Sequence, residues 1–302
     1  MKTKIKRTAF SNKVTGVLNF ADLKKRRYRV LYYAMFLFLL IISLTCLIPV
    51  IWTAFSGFKS VEEMYAIPPT FFPKKIDFGN VFDVLSKVNI LKYIKNSVIL
   101  IIGCLACDIF INGLAGYVLS RLRPSGSKII NILIFWSMLL PGISMVTLYM
   151  TFVDMPILHI NLLGTFIPLC IMAGASAFDV LLFKSFFDGI PMAYLEAARI
   201  DGCSDVGIFT KIILPLSKPI ISVVSIFNII GTWGNFMWPY LIVGNTDKEP
   251  IAVALYQINM NGKLMQNEYM ILMFLSILPM IIVFCIFSKH IMGGINIGGI
   301  KG

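Results

Sequence analysis

Charge is what this sequence has least of. Only 14% of its 302 residues are Asp, Glu, Lys or Arg, while 58% are hydrophobic. Water-soluble chains carry about a quarter charged residues, so this shortage leaves too little polar surface to cover a water-soluble body. Histidine is nearly missing too: His159 and His290 stand alone, with no ligand spacing for a metal. Six cysteines offer a single CxxC, Cys104 to Cys107, inside an apolar run and without a second pair. That arrangement does not point to zinc or redox chemistry. No GxxxxGK[ST] run occurs, so the chain is not expected to bind or hydrolyse ATP itself.

What is present is uncharged length. Residues 30–58, 96–107, 129–153, 160–178, 219–246 and 269–288 contain no Asp, Glu, Lys or Arg. A helix needs about 20 mainly apolar residues to cross a bilayer. Five windows meet or nearly meet that length, and the second does so if Asp108 is accepted inside it. Lipid offers no partner to backbone N–H and C=O groups, so each span must pair its own. The runs are too long and too evenly apolar for barrel strands, which alternate over about 10 residues. The reading is an all-α, polytopic membrane protein with six spans, near 31–52, 94–119, 129–151, 162–183, 219–240 and 269–288. The first run is taken as a retained span, not a cleaved signal peptide.

The net charge of +12 is unevenly placed. Ten Lys and Arg precede position 30, and such flanks stay in the cytoplasm. With the N terminus inside, the cytoplasmic segments hold nineteen Lys and Arg and the outer ones eight. The expected location is a bacterial-type plasma membrane with both termini cytoplasmic. The divisions are a basic arm at 1–29, a permease domain at 30–289 containing a long inner loop at 184–218, and a glycine-rich tail at 290–302. Asn19–Tyr32 could form a short amphipathic surface helix. Pro68, Pro69 and Pro73 exclude one long helix from the outer segment 53–92.

The inner loop is the most informative stretch. Pro191 suits a first helical turn, Glu196-Ala197-Ala198 favours helix, and Gly202 permits a left-handed end. Ser204 or Asp205 can cap a second helix, Pro215 marks a bend, and Pro219 opens the fifth span. Glu196 and Arg199 share a face, and small alanines allow close docking. A short helix, a turn and a second helix between two spans could transmit force to a cytoplasmic partner or could rest on lipid.

On these residues the chain resembles the binding-protein-dependent ABC importer permeases, especially the smaller maltose-type permease of the carbohydrate-uptake branch. The family's loop signature stands here as Glu196-Ala197-Ala198-Arg199-Ile200-Asp201-Gly202 and Ile212-Ile213-Leu214-Pro215. Asn96-Ser97, Ala115 to Arg121, Leu140-Pro141-Gly142, Trp233 with Asn235, Trp238-Pro239 and Lys301-Gly302 fit as well. Gly116 departs from the pattern, where relatives usually carry Ala. The resemblance implies that Glu196 enters a cleft on an ATPase subunit, that Gly202 forms the turn of a coupling loop, and that Lys301 and Gly302 reach the ATPase dimer. It implies as partners a second homologous permease, two ATPase subunits and an extracytoplasmic sugar-binding protein. ATP and Mg2+ are expected in the ATPase subunits, with no cofactor in this chain.

For the path itself, Asp108 is expensive within a span. It can either face sugar hydroxyls or bond to Asn112 one turn away. Asn228, Trp233, Asn235 and Trp238 offer amides and aromatic faces of the kind that hold sugars, although an interfacial aromatic belt is the alternative for the tryptophans. Two other functions compete with an importer. One is an ion-gradient-driven secondary transporter, which would want paired broken helices; the other is a membrane scaffold without transport.

Overall fold

The computed structural model describes residues 26–139, 145–153 and 160–294. All regular elements among them are helical. The uncharged run after Arg29 forms α1, Arg26–Ser56. Residues 26–32 of the expected surface helix are the start of this span, and the rest of that helix lies outside the described residues. The side chains of α1 are exposed along nearly its whole length; only toward the end of the helix, from Val50 through Ser56, do most of them become partly or fully buried. An apolar cylinder left bare in this way suits lipid or an apolar partner.

The outer segment is broken by its prolines into α2, Val61–Met64, and α3, Gly79–Lys87. Buried polar groups tie it down. The Asn80 amide donates to the carbonyls of Gly57 and Lys59 at 3.2 and 3.1 Å, and Asn267 donates to that of Lys59 at 3.1 Å. The Lys59 ammonium sits 4.1 Å from the Trp52 ring centre and donates to the Thr70 carbonyl.

The second span, α4, runs over Ile90–Leu122, 33 residues. It begins four residues earlier than the charge pattern predicts, because the Asn89 side chain caps it by accepting from the Lys92 N–H. Two widened turns interrupt it, at Asp108–Asn112 and Val118–Leu122. The third expected span appears as α5, Ser127–Ser137, and α6, Met145–Val153. Leu140-Pro141-Gly142 between them lies outside the described residues.

The fourth span is bent by 43°, into α7, Ile167–Ala173, and α8, Ala177–Asp188. Gly174 lies close against α4, where a Cβ would stand 2.6 Å from Ile111 Cδ1 and 3.3 Å from Cys107 O. The inner loop gives α9, Ala193–Ile200, and α10, Asp205–Leu216; a 77° bend at Ser217 leads into α11, Lys218–Gly234. The expected fifth span, 219–240, therefore stops short. Asn235 is extended, with ψ 118°, and a separate helix follows as α12, Met237–Val243. Two further helices follow. The first, α13 at Ile251–Met260, lies in a stretch read from sequence as plain loop, and α14 runs over Gln266–Gly294. Among the described residues three helices are individually long and apolar enough to cross a membrane, and up to five spans result when each bent pair counts as one.

Candidate functional site: the coupling element and the cavity behind it

The inner loop folds into a part with two faces. Pro191 lies two residues ahead of α9, not in its first turn. Along α9, Leu195 and Ala198 point inward at 0% and 4% exposure. Glu196, Ala197 and Arg199 point outward. The spacing of three between Leu195 and Ala198 puts both on one stripe of the helix. Gly202 ends the helix with φ +78° and open space around it. The Gly202 N–H bonds to Arg199 O, and the Cys203 N–H to Ala198 O, both at 3.0 Å. This pairing satisfies the last carbonyls of α9 and needs the left-handed residue that glycine supplies. Ser204, not Asp205, caps α10 by accepting from the Gly207 N–H at 3.2 Å. Asp205 instead meets Arg199 at 3.3 Å across the turn. Exposed Asp201 closes α9, its N–H bonded to Ala197 O. Pro215 sits within the last turn of α10, two residues before the bend.

The inward face joins a cluster that spans five helices, with α11 contributing Ile220 and Val224. Leu195 and Ala198 pack with Ile208, Phe209 and Ile213 of α10, Tyr117 of α4, and Phe183 and Phe187 of α8. The loop is thus keyed into the inner ends of the second, fourth and fifth spans. A buried Leu contributes about 1.5–3 kcal/mol. That matters here because an eight-residue helix is marginal alone. Polar contacts close the same joint. The Arg121 guanidinium donates to the carbonyls of Phe187, in the last turn of α8, and of Ile190, just beyond it. The Ser120 hydroxyl donates to Asp188 at 2.7 Å, and Lys184 pairs with Asp188 at 2.8 Å.

The outward face carries Glu196 together with apolar groups that the sequence reading passed over: Ile200 is 87% exposed and Val206 72%. Their signal was available. Both are aliphatic residues beside cap residues of a polar turn, where no core demands them.

Toward the membrane interior a cavity of about 290 Å³ opens between α4, α7, α8 and α11. Its polar wall comes from Ser176, Asp179, Asn228, Thr232 and Asn235, with Trp238 beside them. Asn228, Asn235 and Trp238 of the expected path residues therefore reach it. Trp233 does not; it packs against the Val84, Ile258 and Leu272 cluster on the outer side. Asp108 and Asn112 are fully buried behind the wall. The Asp108 carboxyl accepts from Asn112 at 2.7 Å and from Asn228 at 2.9 Å. Asn112 also donates to Ala173 O at 2.9 Å and accepts from the Ser176 N–H at 3.2 Å. These bonds hold the bend between α7 and α8 to α4 and α11. Burial of a carboxyl in a span is tolerable because amides fill its acceptor sites. The partner Asn228 lies 120 residues away from Asp108, beyond what local spacing reveals.

On the outer side Asn96 donates to the carbonyls of Asp247 and Glu249 at 2.9 and 3.0 Å, and buried Ser97 accepts from the Ile251 N–H at 2.9 Å. This sequence pair thus pins the segment before α13 to the start of α4. Lys301 and Gly302 lie outside the described residues.

The chain is similar to several known proteins. The polygalacturonan/rhamnogalacturonan transport system permease protein YtcP of Bacillus subtilis is 29% identical over 295 residues, covering 93% of this chain and all of that relative. The diacetylchitobiose uptake system permease protein NgcG of Streptomyces coelicolor is 27% identical over 90% of this chain and 89% of its own. Among solved structures, a chain of a bacterial ABC transporter involved in import of the acidic polysaccharide alginate superposes with a TM-score of 0.76 at 24% identity. That match covers 88% of this chain and 98% of the other. The family described as binding-protein-dependent transport system inner membrane component matches residues 112–295, the stretch that contains the Asp108-linked helices after their first widened turn, the coupling element and the last span. This chain belongs to that family of transport permeases.

Proposed function

We propose that the chain is one permease subunit of an ATP-driven carbohydrate importer, forming half of the path and linking it to ATPase subunits. The observation that carries this reading is the two-faced coupling element. Leu195 and Ala198 are buried among residues of three spans, while Glu196, Ile200 and Val206 are offered outward. A partner that seizes the outward face moves the inner ends of α4, α8 and α11 together. Glu196 supplies the charge for a basic cleft on the ATPase subunit, and Ile200 and Val206 supply apolar contact. ATP and Mg2+ belong to two such ATPase subunits. A second homologous permease covers the other side of the cavity and the bare face of α1. A sugar-binding protein docks on the outer surface built from 57–88 and 245–262. Both termini are cytoplasmic in this arrangement. ATP binding shifts the pair between inward- and outward-open states by favouring one of them. Carbohydrate is the cargo because the relatives named above carry glycans and the cavity offers amides, hydroxyls and an indole. The gradient-driven and scaffold readings have no comparable support.

The test is copurification and uptake with Glu196→Ala. Loss of ATPase subunits from the purified complex and loss of ATP-dependent sugar uptake are expected. Normal assembly and uptake would remove Glu196 from the docking role. Uptake independent of ATPase activity would remove the importer reading altogether.

A further inference from the structure

The cavity has an electrical character that narrows the cargo. Asp179 is half-buried on its wall, and none of the described residues lining the cavity is cationic. Its position follows from how α8 begins. Ser176 caps α8 by accepting from the Asp179 N–H at 3.3 Å, and Asp179 stands three residues later. An acid there ordinarily reaches back to the backbone N–H of the cap. Here that N–H is already taken by the Asn112 side-chain oxygen, at 3.2 Å. The carboxyl group meets the Ser176 hydroxyl instead and lines the cavity. Asn228, Thr232 and Asn235 complete the polar wall, and Trp238 provides a flat face.

Resting on the importer reading above, we infer that Asp179 is a specificity-determining residue that makes this half of the path select uncharged sugars and reject uronates. A carboxylate and the amide oxygens accept hydrogen bonds from sugar hydroxyls, and the indole covers C–H faces. A uronate passing Asp179 would meet a like charge with no cation at hand. In a partly desolvated site such repulsion weakens occupancy by about tenfold to a hundredfold. The chain would then differ in cargo from the structurally similar alginate importer and from the relative named for polygalacturonan, both of whose named cargoes are acidic.

The test uses the full complex in proteoliposomes, with ATP supplied to the ATPase side and the binding protein on the other. Probes are neutral tetrasaccharides of glucose, galactose, arabinose and N-acetylglucosamine, and tetragalacturonate. The wild-type complex is expected to take up at least one neutral probe and to take up tetragalacturonate at least about tenfold more slowly. Asp179→Asn is expected to raise the ratio of tetragalacturonate to neutral uptake about tenfold or more. Tetragalacturonate binding to the complex without the binding protein, read as quenching lost in Trp238→Phe, is expected only in the Asp179→Asn form. Wild-type uptake of tetragalacturonate at the neutral rate overturns the inference and leaves the importer reading standing. So does an uptake ratio that Asp179→Asn does not move. ATP-driven uptake of no sugar at all overturns both.

Discussion

Replacing Gly116 by alanine sets two ordinary effects against each other, and the geometry decides between them. Alanine is favoured over glycine inside a helix by about 1 kcal/mol. A Cβ at position 116 would stand 2.8 Å from Phe183 Cβ, 2.9 Å from the Lys184 nitrogen and 3.1 Å from Val180 O. Two of those neighbours are backbone, so a rotamer change cannot relieve them. The helices α4 and α8 must part, which loosens the cluster of Tyr117, Phe183, Phe187 and Leu195 that holds the coupling element. Overpacking of this kind costs about 1–3 kcal/mol, and rigid neighbours put this site at the upper end. The net change is a loss of about 1–2 kcal/mol. At about 2–4 °C per kcal/mol for a domain of this size, the melting midpoint should fall by several degrees. The assay is thermal unfolding of the detergent-solubilised protein by intrinsic fluorescence, at one scan rate because such unfolding is often irreversible. Gly113→Ala is the control. Its Cβ meets the Phe183 ring at 3.9 Å, an ordinary contact, so it should be neutral or stabilising. A Gly116→Ala midpoint equal to or above the wild type would refute the close approach of α4 and α8.

Other outcomes follow from the same geometry. Leu195→Ala should cost about 2–5 kcal/mol in the inner cluster and lower ATP-driven uptake, while keeping ATPase copurification better than Glu196→Ala does. Comparing the two variants separates transmission from docking. Gly202→Ala meets no atom within 4 Å but must hold φ +78°, so it should cost about 1–2 kcal/mol through the backbone alone and weaken ATPase binding severalfold in a pull-down. Asp108→Ala leaves the Asn112 and Asn228 amides without their buried acceptor and should cost about 2–4 kcal/mol, seen as a lower midpoint and reduced yield. Finally, the Lys92 ammonium bonded to Asp247 at 2.6 Å holds that carboxyl below its ordinary value. A depressed acid adds stability above its unfolded value and loses it as pH falls through the folded one. Any midpoint difference between wild type and Lys92→Gln should therefore be present at pH 7 and vanish in strong acid.

The sequence alone determined what depends on local composition. Uncharged runs dictate membrane helices because lipid cannot satisfy a bare backbone. Pro68, Pro69 and Pro73 break the outer segment. Gly202 and Ser204 write the end of one short helix and the start of the next within a few residues. The coupling element was legible for that reason, down to its exposed Glu196. Only the tertiary structure decided what depends on residues far apart in the chain. It paired Asp108 with Asn228, set Gly116 against Phe183, and turned Trp233 away from the cavity while leaving Trp238 on it. It also broke the fifth span at Asn235 and gave the Ser176 cap N–H to Asn112. A periodic pattern tells which face of a helix is apolar, but the direction of each helix axis, and hence which buried polar groups meet, comes only from packing.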